Sequence, residues 1–425
     1  MRVRFITVAL FAAAVVGLGG ATAATGAHAQ STSAPDSYVT YWDAVGNQAV
    51  TAAAGDGTES IIILAYVGIA EYDSMMAIDG GYQPFAVDVD APDGASPEAA
   101  VVAAAHAILV HYLPGQAGTI LDPAYVQSLG TIPDGQAKED GVATGEEVAA
   151  ILIEQRADDG FRDAVGYIPP DPPIPGAWIP TLPSPPLGTY LPHMRPFSLD
   201  SPDEFRPGGP PPLSSRRWAE DYNEVQEIGS RTSTTRTAEQ TLAARFWGEP
   251  PVTQAHASFR KFVLDHQLDI ADASRFMAMV TVVRADAAIA CFDAKYHYAF
   301  WRPITAIRAG DTDGNDATAA DPAWLPLLPV TPNHPEYPSA HSCLTPSGAS
   351  VMARFLGTNE IDYTVPSITG LGDRHFDTVR DLTYEVGNAR IWGGIHYRTA
   401  VEDGVRLGMK VEHQVLAHHF HTTDE

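Results

Sequence analysis

Three separated stretches in the second half of the chain carry residue types able to hold a small anion and move a proton on it. The first is Lys295-Tyr-His-Tyr-Ala-Phe-Trp301-Arg302-Pro303. Lys295 and Arg302 are spaced to share one helix face two turns apart, with Pro303 disrupting that helix. Two cations on one face repel each other unless an anion sits between them; separate acidic partners at the surface are the alternative. The second stretch is Pro338-Ser339-Ala340-His341, where Ser339 suits an N-cap or first-turn position of a helix running to Leu356. Free amides at such an end form an anion site. His341 then lies close enough to exchange a proton with whatever the amides hold, unless it is an incidental residue of an ordinary capped helix. The third is Arg390-Ile-Trp-Gly393-Gly394-Ile-His396. On a straight helix Arg390 and His396 would face roughly 120° apart, so Arg390 must reach around or the glycine pair must break the helix. Glycine also lets backbone approach a ligand closely.

Taken in order, Lys-x6-Arg-Pro, Pro-Ser-x-His and Arg-x5-His resemble the pattern of the vanadium-dependent haloperoxidases and the related type-2 phosphatidic acid phosphatases, which share one oxyanion pocket. The resemblance covers about residues 254–411 most specifically; the proline-rich segment and Glu239-Gln240 with Phe246-Trp247 also look like secreted bacterial members. It implies that Lys295, Arg302 and Arg390 neutralise the oxygens of bound vanadate or phosphate. Ser339, Ala340 and a main-chain amide at Gly393-Gly394, taken as Gly394, would add donors. His396 would bond to vanadium, or attack phosphorus in a phosphatase, and His341 would be the general acid/base. Ala340 and Ala389 depart from the family's usual Gly and Ser, which bears on cage geometry and on the orientation of Arg390.

The motif does not choose between peroxidase and phosphatase. Three features favour a haloperoxidase using hydrogen peroxide, halide and small organic acceptors: the chain is long with no later membrane-spanning run, Trp301 precedes Arg302, and His334 stands seven residues before His341. In the resemblance, a histidine at the His334 place goes with oxidation of bromide and iodide rather than chloride. A secreted acid phosphatase is the second reading, and a helical scaffold with a degenerate pocket the third. Relatives of this kind often form homodimers.

Charge and organisation fit that setting. Fifty-two Asp and Glu face 26 Lys and Arg, a net of −26, which argues against nucleic-acid binding. Two cysteines, Cys291 and Cys343, exclude a disulfide scaffold and a four-cysteine metal site; they could pair or stay as buried thiols. Residues 1–29 read as an export signal: Arg2 and Arg4, an apolar run over residues 5–18, then Ala27-His28-Ala29 before Gln30. The expected fold is all-α, two helical bundles over residues 30–166 and 216–425, joined by a proline-rich extended strap over 167–215. Trp178, Tyr190, Met194 and Phe197 suggest that the strap lies on the core. No alternating strand pattern of useful length is apparent. Asp311 to Asp316 reads as a solvated turn rather than a calcium loop, and His418, His419 and His421 as a frayed tail. Asp403 is a candidate partner for His396, and Asp286 or Asp293 for His341.

Overall fold

The computed structural model describes residues 35, 37–53 and 55–423; the export signal read over residues 1–29 lies outside them. Capping side chains set most helix starts. Ser37 caps α1 (Tyr38–Ala52), Asp56 caps α2 (Gly57–Asp79) and Ser96 caps α3 (Pro97–Tyr112), each accepting a first-turn amide. Next come α4 (Asp122–Gly130) and α5 (Gln136–Arg156). Beyond the proline-rich segment lie α6 (Arg216–Ile228), α7 (Ala238–Phe246), which opens with a reciprocal Thr237–Gln240 capping box, and α8 (Pro251–Asp265). Asp269 caps α9 (Ile270–Tyr298), followed by α10 (Pro303–Arg308) and α11 (Ala340–Leu356). An antiparallel hairpin, β1 (Glu360–Val365) with β2 (Arg374–Thr378), leads into α12 (Val379–Trp392) and α13 (Arg398–His418).

The fold is all-α in class, with that hairpin as the departure from the sequence expectation. Its alternation is real: Ile361, Tyr363 and Val365 are buried while Glu360 and Asp362 are exposed. Over so few residues it does not rise above the background of a helical chain.

The long helix α9 is the spine. Residues 276–295 are buried all round, because α2 covers one side and α11 and α13 the other. Helix α2 is long and apolar enough to cross a membrane, yet most of it is buried inside the protein, as a core helix must be. The helices approach closely where side chains are absent. A Cβ on Gly408 of α13 would fall 2.0 Å from the Cys343 carbonyl on α11, so any larger residue there would push apart the two helices that carry the site.

Helix α9 ends before Arg302. Ala299 turns left-handed at φ 43°, and Arg302 becomes the N-cap residue of α10 with Pro303 in its first turn. Lys295 and Arg302 therefore do not share a helix face, which corrects the sequence expectation. They are brought together by a chain break, and the proline-rich strap pins that break. The Trp178 amide donates to the Ala299 carbonyl at 2.6 Å and the Trp301 amide to the Gly176 carbonyl at 3.0 Å. Trp178 itself is fully buried, as are Leu191 and Met194. Trp178→Ala should cost about 3–5 kcal/mol, read as a lowered midpoint in urea unfolding.

The turn over residues 311–316 is largely exposed, as expected, but Asp313 within it is buried and accepts from Trp218 Nε1 at 2.7 Å, from the Asn315 amide and from the Thr318 hydroxyl. The tail does not fray over residues 418–423. The His419 ring lies 4.4 Å from the Phe85 ring between centroids, Phe420 is buried, and Thr422 bridges to Tyr82.

Candidate active site

The loop over residues 331–338 is fastened from two sides, and that fixes everything it carries. Asn333 accepts from the Thr181 amide at 3.1 Å and donates to the Ser184 carbonyl at 2.7 Å, tying the loop to the strap. Lys295 holds it from beneath: its ammonium donates to the carbonyls of Pro335 at 2.9 Å, Glu336 at 3.0 Å and Pro338. An ammonium has three protons, so Lys295 here braces the loop one layer behind the cavity rather than pointing at an anion.

Arg302 makes the next layer. Its Nε donates to the His334 carbonyl at 2.9 Å, Nη1 to the Ile395 carbonyl at 3.0 Å and Nη2 to the Pro332 carbonyl at 3.2 Å. The same guanidinium touches both histidines, His396 Nε2 at 3.2 Å and His334 Nδ1 at 3.1 Å. His396 arrives from the end of α12, where Gly394 adopts φ +76° and a Cβ would lie 2.5 Å from the Gly229 carbonyl. The glycine pair therefore breaks the helix, as the spacing of Arg390 and His396 demands. Its amides are not free for an oxyanion, however: Gly393 donates to the Ala389 carbonyl and Gly394 to the Ile391 carbonyl, both at 2.9 Å. The donor role expected at Gly394 is thus replaced by a turn-forming one.

The partner of His396 is Glu336. Oε1 lies 2.8 Å from His396 Nδ1 and also accepts the Tyr397 amide at 2.9 Å. Since Arg302 can only donate, the network assigns the imidazole lone pair to Nε2 and the proton to Nδ1, with Glu336 Oε1 as its acceptor. Burial pushes Glu336 up to about 8, against the Tyr397 amide, Arg302 and Lys295, which work downward. Asp403, the partner considered from sequence, instead accepts from the Tyr337 hydroxyl at 2.6 Å and pairs with Arg406.

Arg390 is buried on α12, donating from Nη1 to the Trp247 carbonyl, while its Nε has no partner among the described residues. That bond, not a hydroxyl at Ala389, orients it. His341 lies in the first turn of α11, where the Ala340 and His341 amides have no acceptor within the helix. Ser339 is the N-cap residue, but its amide goes to the Ala400 carbonyl at 3.0 Å and its Oγ accepts from Ser342 at 3.0 Å. Neither aspartate proposed for His341 is near it in bonding terms. Asp286 takes the amides of Phe197, Ser198 and Leu199, and Asp293 pairs with Arg206 at 2.7 Å. Trp301 packs on Trp218, ring centres 5.9 Å apart, in an aromatic cluster behind the site rather than on the cavity wall. Cys291 and Cys343 are buried free thiols, Sγ atoms 2.9 Å apart, between α9 and α11.

A cavity of about 630 Å³ opens onto this assembly, lined by His334, Ala340, His341, Arg390 and His396. Its floor is cationic. Burial lowers Lys295, one layer behind it, to about 8, Arg302 to about 10 and Arg390 to about 9. Among the described residues no salt bridge pairs any of the three with a carboxylate, an excess of buried positive charge that an oxyanion would neutralise. The imidazoles respond to the same field. His396, His334 and His341 are all held well below the ordinary histidine value, first by burial and then by the surrounding cations. The residues present fit a small tetrahedral or five-coordinate oxyanion: a lone pair at His396 Nε2, an orphaned Arg390 Nε, and free amides on α11.

Glu336 was missed from sequence, although it stands two residues after His334 in the motif already singled out. A carboxylate between prolines looks like any loop acid until the histidine it holds is placed. In Glu336→Gln the retained Oε1 can accept both N–H groups, but the new NH2 falls where Oε2 now has no partner. Burying an unpartnered donor behind His396 should weaken vanadate binding by about 10–100-fold, measured by titration with His396 intact.

Residues 275–425 match the family model described as the VCPO second helical-bundle domain. A vanadium chloroperoxidase of Curvularia inaequalis is 24% identical over 370 residues, 67% of this chain and 60% of that protein, so the match spans less than two thirds of the relative. A solved structure described as the first bacterial vanadium-dependent iodoperoxidase superposes with a TM-score of 0.77 at 24% identity, covering 91% of this chain and 96% of that one. A holo-type bacterial vanadium-dependent chloroperoxidase gives 0.67 at 18% identity, covering 84% and 91%. Residues 275–425 therefore match the VCPO second helical-bundle domain, in a chain that has the fold of the vanadium haloperoxidases.

Proposed function

We propose that the protein is an exported, vanadate-dependent haloperoxidase that oxidises halide with hydrogen peroxide to hypohalous acid, bromide and iodide in preference to chloride. One observation carries the reading: the His396 lone pair at Nε2, its other nitrogen fixed by Glu336, stands beside Arg302 on a cavity lined by Arg390. Vanadate, when bound, would supply a Lewis-acidic centre that activates peroxide toward a halide. His396 would hold it through Nε2. Arg390 and the Ala340 and His341 amides would take its oxygens, joined by Arg302 once it releases the histidines it now contacts. His341 would be the general acid/base, taking a proton from incoming peroxide and returning it to the oxygen that departs as water or hydroxide. His334, on the cavity wall beside Arg302, supports the halide preference by resemblance to bromide-oxidising members. The relatives' own descriptions span a chloroperoxidase and an iodoperoxidase.

The same lone pair suits attack on phosphorus, which keeps the phosphatase as the second reading. Purified protein reconstituted with vanadate should oxidise bromide and iodide with peroxide faster than chloride. Cleavage of p-nitrophenyl phosphate without peroxide, inhibited by vanadate and with no halide oxidation, would overturn the peroxidase in favour of the phosphatase. Export is checked by N-terminal sequencing of protein from the medium, expected to begin at Gln30.

A further inference from the structure

Arg284 has no place in the chemistry above, and its surroundings are odd for a structural arginine. It projects from the middle of α9 and is 5% exposed. Its Nη1 donates to the Leu344 carbonyl at 3.3 Å, and its guanidinium lies 5.4 Å from the centre of the Phe259 ring. Among the described residues no carboxylate pairs with it. Of the other buried arginines, Arg156 pairs with Asp159, while Arg302 and Arg390 also lack a carboxylate but belong to the oxyanion site. Burial lowers Arg284 to about 10, still cationic at neutral pH. A buried, unpaired charge costs stability, and a protein retains one where something else is gained.

Arg284 lines the same cavity from α9, whereas His341 and Arg390 enter it from α11 and α12. Its charge is among those that depress His341. Phe259 and Leu344 meet it, and Tyr363, Val365, Ile61 and Phe292 also line the cavity, whose wall is mainly apolar. About 630 Å³ is far more than peroxide and a halide need, and is of the size that encloses a whole organic molecule. We infer that Arg284 and this apolar wall form a subsite for an organic monoanion, an aromatic or alkyl body carrying one carboxylate, held with its body beside His341. That this anion is the acceptor of the oxidised halogen rests on the haloperoxidase reading; the binding itself does not.

The test therefore uses the full-length protein without vanadate or peroxide, so that its failure is separable from failure of the peroxidase reading. Calorimetry with 2-naphthoate should show binding that weakens tenfold or more in Arg284→Leu and is partly restored in Arg284→Lys. The neutral methyl ester should bind wild type no more tightly than the Leu variant. Arg284→Leu should also raise the thermal midpoint of the ligand-free protein, because it removes an unpaired buried charge, whereas a structural arginine would lower it. No detectable naphthoate binding, equal affinity in wild type and Arg284→Leu, or a lowered midpoint rescued by Lys would each overturn the subsite. Displacement of naphthoate by millimolar bromide at constant ionic strength would also overturn it, assigning Arg284 to the halide.

Discussion

His396→Ala is expected to abolish vanadate-dependent bromide oxidation and to weaken vanadate binding by more than the roughly 10–100-fold that loss of a supporting residue costs, since the bond itself is removed. The argument is geometric. Nε2 is the one nitrogen on the cavity wall whose lone pair the network fixes, because Glu336 holds the Nδ1 proton and Arg302 can only donate. Removing the imidazole leaves Glu336 with the Tyr397 amide alone and frees one donor of Arg302. The cationic floor survives, so sulfate, which needs charge but no nitrogen ligand, should still bind His396→Ala within a few-fold of wild type. Parallel titrations with vanadate and sulfate read the two contributions separately. Equal loss for both anions would mean that the histidine shapes the cage rather than bonding to its occupant.

How much of this was legible in the sequence depends on the range of each interaction. His341 at the start of α11 and the helix break at Gly393-Gly394 are local matters of capping and of glycine's access to positive φ, and both stand in the structure as the spacing suggested. Lys295 and Arg302 illustrate the limit. Seven residues apart, they look like one helix face, but the left-handed turn at Ala299 is stabilised by backbone bonds to Gly176 and Trp178, more than a hundred residues earlier. No local signal reports such a partner. Glu336 and Arg284 were hidden for a related reason: a loop carboxylate acquires a role only when a distant histidine meets it, and a helical arginine is conspicuous only when no acid does.

His341→Ala should separate proton transfer from binding. Positioned general acid–base groups contribute about 10²–10⁴-fold, so bromide oxidation should fall by that factor while vanadate affinity stays within a few-fold, because the α11 amides and Arg390 remain. A second readout comes from linkage. Burial and the cations of Arg390, Arg284, Lys295 and Arg302 hold His341 well below its ordinary value; a bound dianion offsets that field and raises it. A group whose affinity for protons is greater in the complex takes up a proton on binding, so sulfate should bind more tightly as pH falls, by at most about tenfold per unit for each proton taken up. Sulfate does not itself titrate near neutral pH. His334 and His396 feel the same cations, so the slope in wild type should exceed that in His341→Ala without vanishing in the variant. An unchanged slope, alongside an unchanged rate, would remove His341 from the chemistry and return it to the role of an ordinary first-turn histidine.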